Sequence, residues 1–228
     1  MMLPLLILRP LDGALQTERR AKQLGLQTVV DPLFTVESIA WSGPAVQDFD
    51  ALLLTSANAV SHGGTQLDAY KSLPVLAVGQ ATARAAENAG FHIAKTGESG
   101  GQQLLNQLPA NRYRSILWLA GEQHSLFDSG ERLLHIVPVY RSRAIDLGEK
   151  AVACLDAETI ILLHSARAAR HLASELDRLQ IERDRHHAVV FSAKVAEAAG
   201  QGWGSVQMAD RPDDESLLSL ATRLCQNK

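Results

Sequence analysis

The side chains best suited to chemistry in this sequence sit where apolar runs give way to small and hydroxyl residues. Leu54-Thr-Ser-Ala-Asn-Ala-Val60 carries Ser56 and Asn58, and Val78-Gly-Gln-Ala-Thr82 carries Gly79 and Thr82. Two later phrases echo them in register: Leu163-His-Ser-Ala-Arg-Ala-Ala169 brings Ser165, and Val190-Phe-Ser-Ala-Lys194 brings Ser192 and Lys194. In each, a strand end hands over to a helix start, which exposes backbone N–H groups and the positive end of the helix dipole, an anion receptor. Arg9, directly after the apolar run Leu3 to Leu8, either binds an anion at the cleft end of the sheet or forms an ion pair at the surface. Lys194 opens a helix, where the dipole disfavours a cation unless an anion sits there too; it reads as a ligand contact or as a solvated lysine. Tyr140, flanked by Arg141 and Arg143, has two readings. Its ring packs against a domain face, or its hydroxyl serves as a proton or hydrogen-bond donor to a leaving group.

Motifs of other chemistries are missing. The sequence contains no G-x-G-x-x-G, no G-x-x-x-x-G-K-S/T, no G-x-S-x-G and no H-E-x-x-H. His186 and His187 are adjacent and point to opposite faces of a strand, while His164 and His171 lie two helical turns apart; neither pair suits one metal ion. Cys154 and Cys225 are too few and too distant for a disulfide framework and fit a reducing compartment. A net charge of −3 and 5% aromatic residues argue against a nucleic-acid surface, which needs a basic stripe with stacking rings. The run Leu3 to Leu8 has no basic segment before it, ends at Arg9-Pro10, and reads as a buried strand rather than a signal peptide. No apolar run reaches membrane-spanning length, and a cytoplasmic protein is expected.

The elements that must position these residues alternate between strand and helix. Strands are expected at Leu3 to Leu8, Gln27 to Val30, Ala51 to Leu54, Pro74 to Val78, Ser115 to Leu119, Thr159 to Leu163, Ala188 to Phe191 and Ser205 to Met208. Helices are expected from Ala14 to Leu24, from the Ser56 region, from Ala81 to Ala89, from Ser99 (as N-cap) to Leu108, from Ser165 to Leu179, from Ala193 to Ala199 and from Asp213-Asp214 onward. Leu33 to Ile39 and His135 to Arg143 read as extended linker segments, and Asp146 to Lys150 as a polar bridge. Strand runs that are continuously apolar indicate parallel sheets covered on both faces. The echoing phrases, together with Ser99-Gly-Gly-Gln-Gln-Leu-Leu105 against Pro212-Asp-Asp-Glu-Ser-Leu-Leu218, indicate an internal duplication. Two similar α/β halves imply a cleft and a two-lobed receptor for an anionic small molecule.

The ordered set Leu-Thr-Ser-Ala-Asn-Ala-Val (54–60), Ala-Val-Gly-Gln-Ala-Thr-Ala (77–83), Val-Tyr-Arg (139–141) and Asp-Glu-Ser-Leu-Leu (214–218) resembles the uroporphyrinogen-III synthase family over essentially the whole chain. The resemblance implies an α/β fold of two flavodoxin-like domains with parallel sheets, joined by a two-stranded β ladder. One domain comprises 1–32 and 146–228, the other 33–145, and 33–39 with 136–144 form the ladder. It implies cyclisation of hydroxymethylbilane, a linear tetrapyrrole polycarboxylate, to uroporphyrinogen III, with loss of water, inversion of the last pyrrole ring and no cofactor. It implies Tyr140 as the group assisting hydroxyl departure, and Ser56, Thr82 and Ser165 as cleft-lining hydroxyls. Asn58, Gly79, Arg9, Arg141, Ser192 and Lys194 complete the expected substrate contacts. The chain departs from the family pattern at Ser192-Ala-Lys-Val195, which lacks a threonine, at His164, which replaces a threonine or serine, and at 122–134, which looks too short for a full helix.

The expectation is therefore a monomeric, cytoplasmic, cofactor-free lyase with no nucleic-acid or membrane partner. One rival is a two-domain module that grips an anionic ligand without reacting it. The other, a nucleotide-sugar transferase, wants an acidic pair near a strand end, and the strand-end phrases above contain no carboxylate.

Overall fold

In a computed structural model, residues 3–98, 100–109 and 111–226 are described. The chain divides into two compact units: residues up to Thr35 together with those from Arg143 onward, and the continuous segment Val36–Ser142.

The first unit is built on a five-stranded parallel sheet. Its strands are β1 (Leu5–Ile7), β2 (Thr28–Val30), β9 (Ile160–Leu163), β10 (His187–Val190) and β11 (Ser205–Met208), lying side by side as β2-β1-β9-β10-β11. This is the flavodoxin-type order, in which consecutive strands spread outward from a central one. Apolar residues fill both faces because successive side chains alternate. Leu6 packs with Leu33, Ile161 and Leu172 on one side, and Leu5 and Ile7 pack with Ala14, Ile160 and Leu217 on the other. The covering helices are α1 (Leu11–Gln23), α5 (Glu149–Leu155), α6 (Ala166–Arg178), α7 (Ala193–Ala199) and α8 (Asp214–Gln226). Helix α1 begins three residues before its expected start, with Pro10 at the N-cap and Asp12 in its first turn. Gly13 is thus inside a helix rather than in a turn.

The second unit carries β4 (Ala51–Leu54), β5 (Val75–Val78), β6 (Ile93–Gly97), β7 (Ser115–Gly121) and β8 (Leu133–Ala144) in the order β6-β5-β4-β7-β8, with β3 (Phe34–Ser38) at the far edge beside β8. Here too the central strand feeds two cores, Leu52 and Leu54 on one face and Ala51 and Leu53 on the other. Its helices are α2 (Ala57–His62), α3 (Gln80–Asn88) and α4 (Gly101–Asn106). The Ile39 N–H donates to the Val139 carbonyl and the Ile145 N–H to the Leu33 carbonyl, each at 3.0 Å, so β3 and β8 run antiparallel. The segment read as an extended linker before β4 is therefore a paired strand.

Two elements had no clear sequence signal. Strand β6 is a half-exposed edge strand, Ile-Ala-Lys-Thr-Gly, too polar to stand out as a strand. Helix α5 has seven residues, too few for a periodic stripe, and lies where only a polar bridge and loop were expected. Tertiary contact fixes it: Asp31 accepts the Ala151 N–H at 2.9 Å, and Ala151, Cys154 and Leu155 face the core. The expected N-cap Ser99 lies outside the described residues, and Gly100 is the N-cap of α4. No helix occupies 122–132. Among the described residues no helix is long and apolar enough to cross a membrane.

Candidate functional site

In the second unit the expected residues gather at the C-terminal ends of the parallel strands. Ser56, extended at the end of β4, caps α2 by accepting the Asn58 N–H at 3.2 Å. Gly79 at the end of β5 has φ +83°, the left-handed region that favours glycine, and its N–H donates to the Gly97 carbonyl at 2.7 Å. Thr82, in the first turn of α3, is 4% exposed and lies beneath the surface rather than on it.

Tyr140 owes its placement to two local features. The pairing of β7 with β8 shifts register between Ala120 and Gly121, so that Gly121 faces Tyr140, and such irregularities re-aim side chains. The ring then lies against Gly121, where an added Cβ would stand 2.8 Å from Cε2 and Cζ and 3.0 Å from Oη. Only glycine leaves that room. Among the described residues the Tyr140 hydroxyl has no hydrogen-bond partner, which leaves it available to a ligand. Its ring stands 6.4 Å from that of His62, whose Nδ1 is 3.5 Å from Ser38 Oγ. His62 was missed by sequence reasoning, although it follows Asn58 by four residues and so shares its helix face. Arg141, half-exposed, instead pairs with Glu37 across β3 and β8 at 2.6 Å, and the Glu37 hydrogen bond raises its pKa. Its guanidinium already has a carboxylate partner.

The first unit concentrates charge. Asp214, the first residue of α8, accepts from Arg9 Nη1 at 2.9 Å, Thr17 Oγ1 at 2.8 Å, Arg20 Nη1 at 3.2 Å and His164 Nε2 at 3.2 Å. Burial alone would raise this carboxyl. The hydrogen bonds from His164 and Thr17 and the charge of Arg9 outweigh burial and hold it at about 2. Burial, opposed by the Asp214 hydrogen bond and reinforced by the charge on Arg9, lowers the His164 pKa. Because the ionised carboxylate only accepts, His164 carries its hydrogen on Nε2. Its Nδ1 is buried without a partner among the described residues. The strand-end phrases themselves hold no carboxylate, but Asp214, from the start of α8, brings one to the end of β9. Asp214 opens a phrase the sequence singled out, but it lies far from Arg9 and His164 in the chain, so nothing local announced their partnership. It is a bonded, sequestered anion rather than a free base. Ser165 is exposed and caps α6 by accepting the Ala168 N–H at 3.1 Å. Ser192, half-buried, occupies the N-cap of α7 without a side-chain capping bond, and Lys194 is exposed.

Comparison with known proteins agrees with this architecture. The family model described as uroporphyrinogen-III synthase HemD matches residues 16–219. The chain is similar to the crystal structure of uroporphyrinogen-III synthetase from Helicobacter pylori, at 16% identity and a TM-score of 0.64, over 98% of this chain and 100% of that one. It is also similar to a mutant uroporphyrinogen III synthase from Thermus thermophilus, at 19% identity and a TM-score of 0.54, over 99% of this chain and 100% of that one. Curated protein sequences yielded no match. These identities establish a shared fold, and the family match, which spans most of the chain, establishes kinship: this chain belongs to the uroporphyrinogen-III synthase family.

Proposed function

We propose that this chain closes hydroxymethylbilane to uroporphyrinogen III as a cyclising hydro-lyase of haem biosynthesis, with Tyr140 as the donor to the departing hydroxyl. Family membership carries the activity. The partnerless Tyr140 hydroxyl, its ring seated against Gly121, supports the assignment of the proton donor. The hydroxyl leaves as water once protonated, and the electron-rich pyrrole behind it expels it. The remaining task is to bend the chain so that the last ring is attacked at its substituted carbon, which is a matter of orientation.

The substrate carries carboxylates along its length. Helix N-termini at Ser56, Gly79, Ser165 and Ser192, with Asn58, Thr82, Arg9, Arg141 and Lys194, are the groups that hold them in this reading. The domain division at 1–32 with 146–228 and at 33–145, a monomeric state and a cytoplasmic location belong to the same proposal. The test is a coupled assay that generates hydroxymethylbilane in place and separates the porphyrin isomers after oxidation. Dominant type III product is expected. Only the spontaneous type I isomer, from folded protein, overturns the enzyme reading in favour of an anion-binding module.

A further inference from the structure

The Arg9 guanidinium is only half engaged. Its Nη1 donates to Thr17 Oγ1 at 3.2 Å and to Asp214 Oδ1 at 2.9 Å. Among the described residues Nε and Nη2 have no partner, and the side chain is 31% exposed. An arginine has five donors in a planar fork, so three remain on the Nε and Nη2 positions, the arrangement that grips a carboxylate with two parallel hydrogen bonds. Arg9 and Arg20 share one carboxylate, Asp214, which leaves the cluster with net positive charge when His164 is neutral. The guanidinium rests on the first turn of α1 at the place a side chain on residue 13 would fill: an added Cβ would stand 2.5 Å from Nε, 2.9 Å from Cζ and 3.1 Å from Nη2. Glycine inside a helix is unfavourable relative to alanine, and φ at this position is not in the left-handed region. Local helix physics thus gives no reason for Gly13, whereas the seat of Arg9 does.

We propose that Asp214 is a positioning residue that presents Arg9 as a receptor for one carboxylate of the linear tetrapyrrole, and that Gly13 is the seat that makes room for the guanidinium. This rests on the substrate reading above. Asp214 has the position for the role: it is nearly buried, begins a long helix, and is held in turn by Thr17, Arg20 and His164. An arginine anchored at one edge loses less freedom on gripping a ligand than a free one, so the anchoring raises affinity without adding a contact.

Gly13→Ala separates this role from a structural one because a binding role raises KM in a protein that stays folded, whereas a structural role lowers stability and leaves KM unchanged. Alanine strengthens α1, which offsets part of the loss when Arg9 loosens from the buried Asp214, so the variant should stay folded and melt within a few degrees of the wild type. It also displaces the flexible end of Arg9. The expected result is a KM for hydroxymethylbilane raised about tenfold, the scale of one charge-assisted hydrogen bond, with kcat within about twofold. Asp214→Asn, of the same shape, should move KM in the same direction. Both variants are also titrated with uroporphyrin I, a non-reacting octacarboxylate, followed through the porphyrin's own absorbance, where affinity should fall by the same factor. Unchanged KM and porphyrin affinity in a well-folded Gly13→Ala protein would overturn the proposal, as would a fall in kcat that merely tracks lost stability. If the wild type forms no type III isomer, the enzyme reading fails by itself, and the porphyrin titration still decides whether Arg9 receives a carboxylate.

Discussion

The two units use the same sheet for different purposes. Laid side by side, β11-β10-β9-β1-β2 of the first corresponds to β6-β5-β4-β7-β8 of the second, with α6, α7 and α8 answering to α2, α3 and α4. The chain enters that shared plan at different strands, which is why the numbering of the two sheets differs while the layout does not. The polar content does not repeat. Thr17, Thr159, Glu175, His186, His187 and Asp214 are buried in the first unit, against Thr82 in the second, among the described residues. Where α1 follows β1, the corresponding segment after β7 forms no helix and the chain reaches β8 and Tyr140 through a loop. One copy has become the charged half, and the other presents a hydroxyl against glycine on an apolar body.

If that division is right, removing the tyrosine hydroxyl should strike chemistry alone. Tyr140→Phe is expected to lower kcat for type III formation about 10²- to 10⁴-fold, the range for general acid catalysis, with the melting temperature unchanged. Isomer ratio and turnover read this directly. Gly121→Ala should push the ring off its seat and cost about tenfold in kcat, since small misplacements are expensive at a reacting centre. A Gly121→Ala enzyme of normal turnover would show that the close packing is incidental.

The charged half should be the acid-sensitive one. His186 is fully buried, neither ring nitrogen has a partner among the described residues, and burial with the charges of Arg185 and His187 depresses its pKa to about 4. A base whose folded pKa lies below its unfolded 6.5 takes up its proton more readily unfolded. The stability is thus complete above about pH 6.5 and declines as pH falls toward 4, by about 3 kcal/mol. His186→Phe should flatten that decline. Glu175 extends the effect to lower pH: the Arg178 hydrogen bond, opposed by burial and aided by the Leu147 N–H, holds it at about 2, so its contribution is lost between about 4.5 and 2. Hydrogen exchange at pH 4.5 should open β9 and β10 well before β4 and β5. Equal opening in both sheets would dissolve the contrast.

Two smaller effects sharpen it. Glu175→Ala leaves the Leu147 N–H, which the carboxylate accepts at 2.9 Å, without its buried partner, and should cost about 1–3 kcal/mol in urea unfolding. Glu37→Gln breaks a pair whose arginine is half-exposed, and the urea midpoint should not move.

The contrast was half legible in the sequence. Runs such as Leu52-Leu-Leu54 and Ile160-Ile-Leu-Leu163 declare buried strands because nothing else buries so many consecutive apolar side chains. Ser165 declared its cap because an N-cap is a local transaction between neighbours, and the helix start at Ser56 followed from the same kind of local signal. Helix α5 and strand β6 were not legible, since contacts with distant residues decide them. The same holds for the Asp214 cluster, which joins residues from β1, α1, the end of β9 and the start of α8. His62 was within reach: its spacing from Asn58 was there to be used.

The interrupted first unit has a consequence for synthesis. Strand β1 sits between β2 and β9, and the partners Leu5 and Ile160 lie on opposite sides of the whole second unit in the chain. As the chain emerges from the ribosome, β1 can pair early with β2, but its other edge must wait for β9 until the contiguous second unit has been made. The charged half is thus the last to assemble, with one edge of its opening strand left unpaired until the end.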